Sequence, residues 1–170
     1  MEKSLAHLPG LSRSEQSTTF ECTQRPFMLW PLILVLLFLS LGGFSGGIPM
    51  LADPGNGGYL EFGEMLPLLP VSNLILPGLF LLVVMGLYPL LLAYALIARP
   101  AWNWVDRWFQ WSKYYWAWIG CLILVVIIAI WLAYEGWLVG WWPITYATAV
   151  QGFLILLFAM LPGVRKFYTK

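Results

Sequence analysis

Residues 115–134 read YWAWIGCLILVVIIAIWLAY, a run without a charged side chain, bounded by Lys113 before it and Glu135 after it. Twenty residues at 1.5 Å each make about 30 Å of helix, the thickness of a bilayer's hydrocarbon core. In water every face of such a helix would need an apolar cover. In lipid its own backbone hydrogen bonds suffice. The stretch therefore predicts a membrane-spanning helix with a basic side before it and an acidic side after it.

Three further runs share this character, at 27–47, 74–98 and 144–161. With 170 residues, 61% hydrophobic and 10% charged, the chain lies far from the soluble average of about 25% charged. The expected fold class is all-α: an integral membrane bundle of four transmembrane helices over 27–164, with no room for a second folded domain. Residues 1–26, polar and without apolar periodicity, are expected to form a disordered tail, and 165–170 a basic C-terminus.

The nine cations are Lys3, Arg13, Arg25, Arg99, Arg107, Lys113, Arg165, Lys166 and Lys170. They fall in three segments that four spans would place on one side, and the intervening segments carry only acids. Lys and Arg in short loops stay cytoplasmic, so both termini are expected inside, in a multi-pass protein of the plasma (inner) membrane. Anionic headgroups account for cations so dispersed, and nucleic acid is not indicated. A polar leader, an apolar stretch and small residues near Gly47 also resemble a signal peptide. The 26-residue leader is long for one.

Between the second and third spans, residues 101–114 divide at helical spacing into an aromatic face and a polar one. Trp102, Trp104, Trp108 and Trp111 share the first with Val105 and Phe109; Asn103, Asp106, Arg107, Gln110 and Lys113 share the second. This pattern predicts an interfacial amphipathic helix on the cytoplasmic face, serving as an anchored linker or as a surface for lipid or a partner. Pro89 is expected to kink the second span by leaving the Met85 carbonyl unpaired, with Gly86 giving that carbonyl room. Ser72 or Asn73 can cap the same span.

Candidate sites are few. Gly42, Gly43, Gly46 and Gly47 repeat the small-xxx-small spacing that lets helices approach closely, and read equally as a glycine-rich helix exit. Glu135 reads as an interfacial acid or a cation site, and Gln151 as an inter-helix hydrogen bond or a ligand contact. Asp53, Glu61 and Glu64 could gather a hard cation but lack a fixed spacing. Their loop is expected to lie at the interface or to fold back over the bundle. Cys22 and Cys121 read as unpaired thiols, and the lone histidine, His7, offers no span an imidazole ligand. No catalytic residues, cofactor or metal site are expected, since no nucleophile triad, HExxH or phosphate loop is present.

Asp53-Pro54-Gly55, the run Leu76-Pro77-Gly78-Leu79-Phe80-Leu81-Leu82-Val83-Val84, then Ile130-Trp131 with Glu135, Trp142-Pro143 and the basic C-terminus carry one resemblance. Over about residues 30 to 168 the chain resembles small four-span bacterial membrane proteins with no assigned activity. The resemblance implies a bacterial plasma membrane and no chemistry. The first functional expectation is a non-enzymatic accessory or scaffold subunit of a membrane assembly, whose partners are the lipid bilayer and other membrane-protein subunits. A small transporter or channel component using Glu135 and Gln151 is the alternative, and a lipid- or quinone-linked enzyme a second. A hydrated cavity joining Glu135 to Gln151 would sink the scaffold reading, whereas a sealed bundle would end the transport reading.

Overall fold

The computed structural model describes residues 27–61, 66–67, 70–100, 102–108, 112–138 and 140–169, without the side chains of Asn103, Trp104 and Asp106. The expectations placed on residues 1–26, Glu64, Trp111 and the Trp104 side chain fall outside the described residues. What is described is helical, and four helices have the length and composition of membrane spans: Leu29–Ala52, Ile75–Ala98, Trp116–Leu138 and Pro143–Met160. Their mean hydropathy runs from 1.6 to 2.6.

Helix α1 (Leu29–Ala52) runs past the expected end at Gly47 and continues through Pro49. A proline inside a helix has no N–H for the carbonyl four residues back, here that of Ser45. The Tyr59 hydroxyl supplies the missing donor, bonding to the Ser45 carbonyl oxygen at 2.9 Å. The glycines are thus inside the helix and are not its exit.

The second span comprises α2 (Ile75–Phe80), a π-helical section over Leu81–Leu87, and α3 (Tyr88–Ala98). Neither Ser72 nor Asn73 is its cap, which is Leu74; Asn73 stands one residue earlier, its Oδ1 accepting from the Ile75 N–H at 3.2 Å. The irregularity expected at Pro89 lies in the preceding turns. There the Tyr88 N–H reaches the Val83 carbonyl five residues back, which is the π register. Buried Ser40 on α1 donates its hydroxyl to the Gly86 carbonyl at 2.7 Å, one residue on from the carbonyl that Pro89 was expected to free.

Helix α4 is described over Asn103–Trp108, within the expected 101–114, and the described neighbours Trp102, Ser112, Lys113 and Tyr114 are not helical. Its neighbour Trp102 is half-buried and stacks on Trp116 at 5.4 Å, and Val105 packs on the core, while Trp108 is 78% exposed. Helix α5 (Trp116–Leu138) extends past the expected end at Tyr134, because a carboxylate ends an apolar run without ending a backbone hydrogen-bond ladder. Helix α6 (Pro143–Met160) leads into α7 (Pro162–Phe167).

The expected basic tail is a docked element. Val164 and Tyr168 are fully buried, and the Tyr168 hydroxyl donates to the Leu96 carbonyl at 2.7 Å. Arg99, in the left-handed region at φ 47°, lays its guanidinium over the Phe167 ring at 3.8 Å and donates to the Phe167 carbonyl at 2.6 Å. Arg165 donates to the Tyr114 hydroxyl at 2.8 Å. Two cations expected to serve the membrane surface thus hold the C-terminal segment to the segment between α3 and α5. They mark the basic end of the bundle; Asp53, Glu61 and Glu135 mark the acidic end.

Around the bundle α1 packs on the second span and on α6, and α5 packs on α6 and α3. The basic half is filled by fully buried Leu36, Leu92, Leu96, Leu124, Ile128 and Ile155. Towards the acidic end α2 stays with α1 while α5 stays with α6, and the space between the pairs is not filled.

Candidate functional site

That space is a cleft of about 820 Å³, within the range of about 300–1,000 Å³ usual for small-molecule sites. Each wall repeats at helical spacing. Helix α6 contributes Ile144, Ala147, Thr148 and Gln151, at i, i+3, i+4 and i+7; α5 contributes Trp131, Tyr134 and Glu135. From α1 come Gly42, Gly43, Ser45 and Gly46, and from the second span Phe80, Leu81 and Met85. Two of these three, Leu81 and Met85, belong to the π-helical section, a deviation often found at functional sites. The loop after α1 folds back over this end, with Tyr59, Leu60 and Val71 in the lining.

Glycine makes the narrow side of the wall possible. A Cβ on Gly47 would come within 2.8 Å of the Gly78 carbonyl oxygen, and one on Gly43 would run into the Met85 carbonyl carbon. At Gly46 it would meet the Leu81 side chain at 2.7 Å. Gly42 differs, since a Cβ there meets nothing within 4 Å. Three of the four glycines singled out by spacing therefore form the contact between α1 and the second span. Gly42 borders the cleft with room to spare.

Glu135 and Gln151 line the same cleft. Glu135, half-buried, accepts from the Thr145 hydroxyl at 3.3 Å and from the Trp131 indole N–H. Thr145 is itself buried. Gln151 lies six residues deeper along α6 than Thr145, about 9 Å by helical rise, and among the described residues its amide has no hydrogen-bond partner. Leu39 and Met85 form part of the lining, and beyond them lie the packed side chains of the basic half. The Phe80 and Trp131 rings stack across the gap, centroids 4.3 Å apart. Among the described lining residues Glu135 is the sole carboxylate, and none is Lys, Arg or His.

Such a site offers an apolar chamber with one carboxyl group towards the acidic end and one neutral amide at depth. It can hold an amphiphile, and among its described residues it offers no partner for paired acid–base work. The other acids lie apart from it. Asp53 spends its carboxylate on a turn, accepting from the Gly58 N–H at 3.3 Å, and Glu61 is exposed at a positive φ of 52°. Trp102 and Trp108 lie between α3 and α5, on the basic end and away from the cleft. Sequence reasoning missed Tyr59, Trp131 and Thr145. The signals existed: Trp131 and Glu135 are one turn apart, and Pro49 implies an orphan carbonyl that some donor must reach. No protein family, curated protein or solved structure matches the chain.

Proposed function

We propose that this is a multi-pass protein of a bacterial plasma membrane, with both termini cytoplasmic, whose cleft holds a lipid-like amphiphile without transforming it. The acidic end then faces outward, and the cleft lies in the outer half of the bilayer. The observation that carries this reading is the pairing of an apolar chamber with two polar side chains at different depths, Glu135 and Gln151. Within lipid an alkyl body gains nothing by leaving water, so close packing against the apolar wall holds it and a few placed polar groups orient it. A transporter component using the same two residues needs a path that continues past Leu39 and Met85. The close packing of the basic half favours a site closed at one end.

A second reading, the accessory or scaffold subunit, is favoured by α6. Only 22% of its span is buried within the chain, against 39–44% for the other three, and Tyr146, Val150, Phe153 and Leu157 stand exposed on it. The cleft that reaches Glu135 and Gln151 is lined mostly by apolar side chains, so it is not the hydrated path that would exclude the subunit role, and one small protein can fill both roles.

Mild-detergent extraction followed by native mass spectrometry tests the first reading. A bound amphiphile of fixed stoichiometry is expected, reduced in Gly42→Leu, which adds bulk where a Cβ has room. Bare protein that also fails to take up added single-chain amphiphiles would sink the reading. Co-purification of another membrane protein, lost when Phe153→Ala and Leu157→Ala are combined, would establish the subunit role.

A further inference from the structure

We propose that the amphiphile held in the cleft is cationic at its head, an alkylammonium. This rests on the reading of the cleft as an amphiphile site and adds the chemistry of the ligand.

Charge is the first argument. Glu135 faces no cation among the described lining residues, yet a carboxylate in surroundings this apolar needs compensation beyond neutral donors. Thr145 and Trp131 supply two hydrogen bonds, whereas an ionised carboxylate can accept about four. Half of its accepting capacity is thus left for a ligand. An anionic head would meet the Glu135 charge where the low dielectric makes repulsion strong; a cationic head gains by the same factor.

Aromatic rings favour a cation by a route separate from the carboxylate. The lining near Glu135 is aromatic: Trp131 and Tyr134 on the same face of α5, Phe80 stacked on Trp131 across the gap, and Tyr59 over the mouth. Ring faces attract cations, and rings grouped around an anion form the kind of site that recognises ammonium heads. The rest of the lining, from Leu81 and Met85 to Ala147, is apolar and suits the alkyl chain.

The experiment uses the full chain in phosphatidylcholine nanodiscs. Three probes share a dodecyl chain brominated beside the head and differ only in head: trimethylammonium, phosphate or maltoside. Bromine quenches the fluorescence of Trp131 and Trp142 in the lining, and empty discs and unbrominated probes supply the baseline. Saturable quenching is expected with all three, the ammonium binding about ten-fold or more tighter than the phosphate. Glu135→Gln should remove that preference, bringing the ammonium probe's affinity down to that of the phosphate probe. Glu135→Asp, which keeps the charge, should retain the preference. Equal or tighter binding of the phosphate probe, or an unchanged preference in Glu135→Gln, overturns the cationic assignment alone. Absence of saturable quenching by every probe overturns the amphiphile site itself.

Discussion

Gly42 and Gly43 are neighbours in sequence, yet one borders open space and the other presses on backbone. Glycine lowers helix stability by roughly 0.5–1 kcal/mol relative to alanine, so Gly42→Ala should be neutral or stabilising by that amount. Gly43→Ala puts a methyl into the Met85 carbonyl, which cannot move without parting α1 from the second span. Overpacking of this kind costs about 1–3 kcal/mol. Thermal unfolding in detergent should therefore move the two Tm values apart, with Gly43→Ala the lower. Equal values would refute the close contact. The spacing of the four glycines was legible in sequence, but which of them faces a neighbour was not. Rotation of α1 about its axis is set by Ser40 reaching Gly86 and by the partner helix, neither of which leaves a local trace.

At the scale of elements, hydropathy located all four spans and misjudged their ends. Apolar runs report where lipid can be, whereas helices end where hydrogen bonding ends. Hence α5 continues through Glu135 to Leu138, and α1 through Pro49 to Ala52. The C-terminal segment adds a contact that its charges did not announce. Its cations were assigned to anionic headgroups, but Phe167 and Tyr168 pack beside Arg99. Burial pushes the Tyr168 phenol up to about 12, against the opposing pull of the Arg99 guanidinium. Below pH of about 10 this phenol is neutral in both folded and unfolded chains, and its contribution is complete. Between about 10 and 12 the unfolded chain ionises first, so the contribution fades as pH rises and is lost past the folded value. An alkaline titration of tyrosinate absorbance should show a late-titrating phenol that is missing in Tyr168→Phe. Superimposable titrations would remove the buried hydroxyl from the account.

For the whole molecule, the charge pattern predicts a topology that thiol accessibility checks. In a background with Cys22→Ser and Cys121→Ala, Asn56→Cys should react with a membrane-impermeant maleimide in intact cells. Ser14→Cys, Ser112→Cys and Thr169→Cys should react only after permeabilisation. Labelling of Asn56→Cys and Ser112→Cys from the same side would refute the arrangement. Sequence also named the two polar residues of the cleft and joined them in the transporter alternative. That they border an open space depends on α2 staying with α1 while α5 stays with α6, a non-local choice made by packing. Tyr59 shows what that choice means for traffic. Its bond to the Ser45 carbonyl, left over by Pro49, tethers the loop beside the mouth. A hydrogen bond of this kind contributes about 0.5–1.5 kcal/mol, which biases an open–closed equilibrium by only about two- to ten-fold. In the amphiphile reading proposed above, a tether this weak leaves residence time in the cleft to what Glu135 and the rings hold.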